Sequence, residues 1–143
     1  MIRPIKENDF DSWRELWIQY LRFYRAELTE ETTRHTFERL TAERDELVGL
    51  VAVGKGSDLV GFAHLVFHPS TWSERPYCYL EDLFVSRSVR GGSVAKELIS
   101  AVYQEADRQK AARVYWHTQQ YNGAARSVFD QIAHPTSFVV YQR

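Results

Sequence analysis

The chain has one cysteine, Cys78, so an internal disulfide is excluded. That usage fits a reducing compartment, and a cytoplasmic location is expected. Charge of one sign is also missing. The formal net charge is −1, which removes the global basic field that nucleic-acid binding needs. No apolar run reaches the ~18 residues that span a bilayer. Met1-Ile-Arg-Pro4 has no basic-then-apolar leader pattern. No nucleic-acid and no membrane partner is expected. There is no Gly-x-Ser-x-Gly elbow and no Walker sequence. His64 and His68 lie four apart on an expected strand, ~13 Å along the chain, too far to share one ion. No metal is expected.

What is present is aromatic. Phe, Trp and Tyr make up 14% of the residues, enough for a sizeable core or an aromatic pocket. At 143 residues, a single domain over 1–143 is expected. Ile2 to Ile5 reads as a strand. Phe10, Trp13, Leu16, Trp17, Tyr20, Leu21 and Tyr24 fall at helical spacing behind Asp9 or Asp11. Thr29-Glu-Glu-Thr32 reads as a capping box that opens a second helix. Leu47 to Val53 and Leu59 to Phe67 read as a hairpin about Gly54-Lys-Gly-Ser57. Pro69 to Pro76 reads as a loop, and Tyr77 to Val85 as a long strand. Ser93 to Lys110 is an amphipathic helix, Ala112 to Thr118 a strand, Asn122 to Ile132 a helix and Phe138 to Tyr141 a last strand. The order is β-α-α-β-β-β-α-β-α-β. The expected class is α/β of the α+β type. It has a mixed central sheet made of an antiparallel N-terminal meander and a parallel βαβ unit of right-handed crossover.

Within that unit, Tyr79 to Ile99 runs from strand through Arg90-Gly91-Gly92 to helix. A turn of small residues exposes successive backbone N–H groups, and the helix behind it adds its positive dipole end. Arg90 adds a full charge. Ligands of such sheets bind beyond the carboxyl ends of the strands. A phosphate-bearing cofactor is the natural guest.

The element order and this turn resemble the GNAT acetyltransferases. The family pattern [Arg/Gln]-x-x-Gly-x-[Gly/Ala] falls on Arg90-Gly91-Gly92-Ser93-Val94-Ala95, with Ser93 where Gly is usual. A second pattern, Asn-x-x-Ala and then Tyr four residues on, falls on Asn122-Gly-Ala-Ala125 and Phe129. Tyr79-Leu-Glu-Asp-Leu-Phe-Val85 and Val114 to Gln119 look most like an amine-directed subgroup. Its members acetylate polyamines, D-amino acids and histones. The resemblance implies parallel strands that splay apart, and acetyl-CoA as the cofactor.

The resemblance also implies roles, residue by residue. The pyrophosphate rests on the N–H groups from Arg90 through Lys96, that is Arg90, Gly91, Gly92, Ser93, Val94, Ala95 and Lys96. The pantetheine arm pairs with the backbone of Leu83, Phe84 and Val85. Asn122, Ala125 and Phe129 lie near that arm. Glu81 matches a position proposed as general base; it either takes the amine proton or only anchors a cation. Adjacent on a strand, Glu81 and Asp82 should face opposite sides. Phe129 stands where the family carries a Tyr acid, so that acid is missing, with Tyr121, Tyr115 or Tyr141 as substitutes.

For the acceptor, aromatic faces and carboxylates suit a cationic amine. The candidates are Trp72 in its loop, Tyr24, Glu27 and Glu81; the Trp13–Tyr24 stripe reads mainly as core. The expected function is acetyl transfer from acetyl-CoA to a primary amine of a small cationic substrate by direct attack. Two alternatives stand beside it: a CoA-binding module with weak or no catalysis, and an enzyme acting on protein lysine or N-terminal amines. A homodimer through the terminal strand is possible by the same resemblance.

Overall fold

A computed structural model describes residues 1–143. The strands are β1 (Ile2–Pro4), β2 (Leu47–Val53), β3 (Leu59–Ser70), β4 (Ser73–Val85) and β5 (Arg113–Tyr115). The helices are α1 (Phe10–Phe23), α2 (Glu30–Leu40), α3 (Val94–Arg108) and α4 (Gly123–Phe129). One sheet holds all five strands in chain order. β1 to β4 form an antiparallel meander, and β5 runs parallel to β4.

The strands alternate faces, which divides the core in two. Leu50, Ala52, Ala63 and Leu65 pack with Leu98, Ile99 and Val102 of α3. Val51 and Phe62 point the other way, onto Trp13, Leu16 and Trp17 of α1 and Phe37 of α2. The helix spacing read from the sequence thus supplies one apolar stripe to each face. Thr29 caps α2, its Oγ1 accepting from the Thr32 N–H at 3.1 Å. Only half of the expected capping box forms, because Thr32 has no carboxyl group to reach back.

Along β4 the alternation changes phase. Cys78 and Leu80 face α3, and so does Leu83, whereas Phe84 packs on the α1 side. The register explains it: Leu65 pairs with Leu80 and His64 with Asp82, leaving Glu81 unpaired in a β-bulge. A bulge bends its strand and ends regular pairing. β4 accordingly pairs with β5 only from Tyr77–Tyr79 to Arg113–Tyr115. Beyond Tyr79 the two strands part, and β4 runs on to Val85 with no neighbour on that side.

Three expectations are corrected. Pro69 to Pro76 is not a loop: β3 and β4 extend into it and turn tightly at Thr71-Trp72, Ser70 pairing with Ser73. The prolines sit where the ladder is irregular or its edge is free. The expected strand at Ala112–Thr118 is only Arg113–Tyr115, because the splay leaves nothing to pair with. Phe138–Tyr141 forms no strand and is 64% to 94% exposed. Its run of β-branched and aromatic residues has strand propensity but no partner edge on this chain.

Candidate functional site

At the end of β4 the chain passes through a short 3₁₀ turn, Arg87–Val89, into Arg90-Gly91-Gly92-Ser93 and then α3. Gly91 has φ +82°, and nothing lies within 4 Å of where a Cβ would sit. Backbone conformation and not space therefore calls for glycine there. The N–H groups of Gly91, Ser93, Val94, Ala95 and Lys96 have no backbone acceptor. They are the orphan donors of a helix start, and they converge with the dipole of a helix of 15 residues. Arg90 folds back over this turn, its Nε donating to the Val85 carbonyl at 3.1 Å.

Ser93 takes the N-cap position in ordinary right-handed geometry, and its hydroxyl donates to the Glu97 carboxylate rather than capping the helix. Lys96 donates to the Gln131 side-chain carbonyl, tying α3 to the chain after α4. A groove of about 580 Å³ opens beside the same turn, lined by Val53, Val60, Val89 and Val94. No residue of the parted β4–β5 strands lines it. The donors for a diphosphate and the open β4 edge beside Leu83, Phe84 and Val85 together fit a CoA-like group: an anionic end followed by an arm rich in amides.

Asn122 caps α4, its Oδ1 accepting from the Ala125 N–H at 3.2 Å. Phe129 meets the Trp116 ring edge-on at 5.3 Å and packs against the α3-side core. Tyr121 is 82% exposed, near enough to Tyr24 to affect its phenol.

The bulge changes the carboxylates. Because Glu81 is the extra residue, it and Asp82 do not face opposite sides as strict alternation predicted. Tyr79, Asp82 and Phe84 lie on the α1 face, and Glu81 stands with them. Its carboxyl is raised above the ordinary range by burial first and then by the Asp82 charge, against smaller opposing effects of His64 and His117. Its side chain still reaches solvent. Burial, Asp82 and smaller effects of nearby groups, Glu81 among them, raise the Tyr20 phenol. Tyr24 and Tyr79 are raised for the same leading reason. These phenols stay protonated near neutrality and are available as donors.

Sequence reasoning missed the support beneath this pair. Asp82 Oδ1 accepts from Tyr20 Oη at 2.7 Å, and Asp82 Oδ2 lies 2.9 Å from His64 Nδ1. His64 Nε2 accepts from Trp13 Nε1 at 3.0 Å. His64 is 2% exposed. One signal was on the page: a His inside Gly-Phe-Ala-His-Leu-Val-Phe must be paired if that strand is buried.

The acceptor candidates are only partly brought together. Tyr24 lies beside Tyr20, ring centres 5.0 Å apart. Glu27 is exposed between α1 and α2. Trp72 is displaced from the site: it tips the β3–β4 hairpin, 87% exposed, with ~30 Å of strand between it and Glu81. The tight turn that replaced the expected loop put it there. The aromatic faces next to the splay belong instead to Tyr79 and Tyr115, stacked at 4.9 Å, with Tyr79 Oη 3.1 Å from His117 Nδ1.

Comparison with known proteins agrees with this geometry. The model of the acetyltransferase (GNAT) family matches residues 10–133. A D-amino-acid N-acetyltransferase of Saccharomyces cerevisiae is 31% identical over 144 residues, covering 100% of this chain and 89% of its own. The crystal structure of a probable acetyltransferase superposes with a TM-score of 0.87 at 25% identity, over 100% of this chain and 96% of that one. AAC(6')-Iy in complex with a CoA-based bisubstrate analogue superposes with a TM-score of 0.86 at 23% identity, with the same coverage.

Proposed function

The chain belongs to the GNAT acetyltransferase family and is an acetyltransferase that uses acetyl-CoA, and from that premise we propose that it acetylates a primary amine of a small cationic substrate by direct attack. The observation that carries this reading is the bulge, which brings the carboxylates of Glu81 and Asp82 to one face where β4 leaves β5.

The free N–H groups of Gly91 and of Ser93 through Lys96, with the Arg90 charge, would hold the diphosphate. The open edge of β4 at Leu83, Phe84 and Val85 would receive the amide arm as an added strand does. Asn122 and Ala125 are spent on capping α4, so their part is to set the start of that helix. Acetyl-CoA supplies an activated acyl carbonyl. Glu81 takes one proton from the acceptor ammonium. The amine nitrogen would then bond to the acyl carbon as the carbon–sulfur bond breaks, and the second proton it must shed to become an amide passes to solvent water. Phe129 has no hydroxyl to protonate the leaving sulfur. A thiol titrates near ~8.5, so the thiolate leaves without a dedicated acid, or takes a proton from Tyr121 or Tyr24 at the same mouth. Tyr79 and Tyr115 offer ring faces to the cationic body of the acceptor.

The test is CoA release from acetyl-CoA with polyamines, D- and L-amino acids and basic peptides, run on the native chain and on Glu81→Gln. Turnover with a small amine that falls ~100-fold in the variant and loses its rise with pH supports the reading. Turnover with basic peptides alone would favour protein amines. Silence across the panel despite measured CoA binding would make the chain a CoA-binding module, the reading that Ser93 and Phe129 favour.

We also propose that a second copy of this chain covers Phe138–Tyr141. The segment is apolar throughout and exposed, and the outer edge of β5 has no neighbour; a strand added there would bury both. Light scattering should give twice the chain mass, and one chain mass for Val139→Asp/Tyr141→Asp. A monomeric native protein would exclude it. The lone thiol supports a cytoplasmic site of action. No helix is long and apolar enough to cross a membrane.

A further inference from the structure

The hydrogen bonds beneath the bulge have a direction that follows from their donors alone. An indole N–H only donates. Trp13 Nε1 therefore requires a lone pair on His64 Nε2, which leaves the His64 proton on Nδ1. That proton is donated to Asp82 Oδ2 at 2.9 Å, while Tyr20 donates to Oδ1 at 2.7 Å. Both oxygens of Asp82 accept, so Asp82 is ionised and His64 is neutral. No Lys or Arg pairs with Asp82. The group of four carries an uncompensated negative charge, anchored to α1 by two bonds and to β3 by one, one residue from Glu81 on the same face.

We propose that Asp82 is a positioning residue of the acetyl transfer: its fixed charge, held by Trp13, His64 and Tyr20, keeps Glu81 basic enough to take the proton of the acceptor ammonium. This rests on Glu81 being the base. Unlike the free amine, a carboxylate alone in water is a weak base near neutrality. Burial raises its proton affinity first, and a second negative charge beside it that cannot move away or become neutralised by a cation raises it further. The same charge draws the ammonium to the place where it will be deprotonated. The groups that face Glu81 are Asp82 and Tyr79 on its own strand, Tyr20 from α1, His64 from β3, and Tyr115 and His117 at β5. Of these, only the histidines oppose Asp82. His64 is held neutral by Trp13, and His117 is exposed to solvent.

The experiment compares the native chain with Asp82→Asn. The Glu81 side-chain carboxyl is titrated by ¹³C NMR, and kcat/KM for the best acceptor is followed against pH. The titration of Glu81 should fall to lower pH, and the acid limb of kcat/KM should move down with it by the same interval. An unmoved Glu81 titration in a folded variant would overturn the proposal, as would a loss of rate with no shift of the limb. The NMR titration does not depend on turnover. If the limb is indifferent to Glu81→Gln while the carboxyl shift is present, the base assignment has failed and not the coupling. Tyr20→Phe guards against a variant that does not fold. It removes one donor and leaves the Asp82 charge, so Glu81 should titrate at the same pH or higher; a fall would count against the proposal.

Discussion

The Arg90 guanidinium lies 5.5 Å from the Phe84 ring centre and donates from Nε to the Val85 carbonyl. The ring centre of Phe23 in α1 lies 6.0 Å from the same guanidinium. The positive charge of the turn before α3 is thereby pinned to the end of β4. A planar guanidinium can stack and donate at once; an ammonium cannot.

Arg90→Lys keeps the charge and loses that geometry. Its CoA dissociation constant should rise about tenfold by calorimetry, a loss of about 1.4 kcal/mol. Arg90→Gln should weaken binding further. Equal affinity in all three proteins would mean that the backbone donors alone hold the phosphates.

Ser93 does not stand in a strained conformation, and its hydroxyl is directed to Glu97. Ser93→Gly should leave CoA affinity within threefold. Glu97 is the only acidic residue in the first turn of α3, close to where an anion would rest. Glu97→Gln should tighten CoA several-fold, and more at low salt than at high salt.

Phe129→Tyr adds a hydroxyl to a ring that touches Trp116. If the missing acid limits turnover, kcat rises while CoA affinity stays the same. A higher CoA dissociation constant with unchanged kcat would show instead that the added oxygen disturbs the packing of α4.

Asp9 makes two bonds to Arg3, at 2.7 and 2.8 Å, and accepts the Lys6 N–H at 2.8 Å. The Arg3 bonds, opposed by burial, hold its carboxyl below the ordinary range. The folded chain thus releases this proton more readily than the unfolded one. The stabilisation is complete above the ordinary carboxylate value of ~3.9 and fades as pH falls through the lower folded value. Asp9→Asn should cost about 2 kcal/mol in urea unfolding at pH 7. The gap between variant and native chain should narrow at pH 3.

Period and turn chemistry made much of this legible. Helical spacing placed Trp13, Leu16 and Trp17 in the core, and Arg90-Gly91-Gly92 marked the turn whose N–H groups stand free before α3. The hairpin, the antiparallel meander and the parallel β4–β5 pair were legible too; what failed was detail that depends on how a partner strand is aligned or whether one is there. Alternation put Glu81 and Asp82 on opposite faces because nothing local announces a bulge; it appears only in the register with His64 and Leu65. Pro69 and Pro76 read as a loop because their tolerance in a strand depends on which edge they occupy. Phe138–Tyr141 read as a strand because propensity says nothing about whether an edge is available. Trp72 left the site by the same route, once the loop proved to be a turn. The polar chain from Trp13 to Tyr20 joins residues up to 62 apart, beyond any window of local pattern.

The bulge at Glu81 is one residue in the count of β4. Without it, Asp82 would follow Leu80 directly, and Leu83 and Phe84 would keep the faces they have in an unbroken alternation. The strand would continue straight alongside β5, and its amides would be satisfied by that strand. The opening for a ligand is in this sense a phase error in a ladder, held in place rather than repaired. A chain shortened by Glu81 alone should keep both cores and lose the crevice, so a single codon separates a sheet with a mouth from one that is shut.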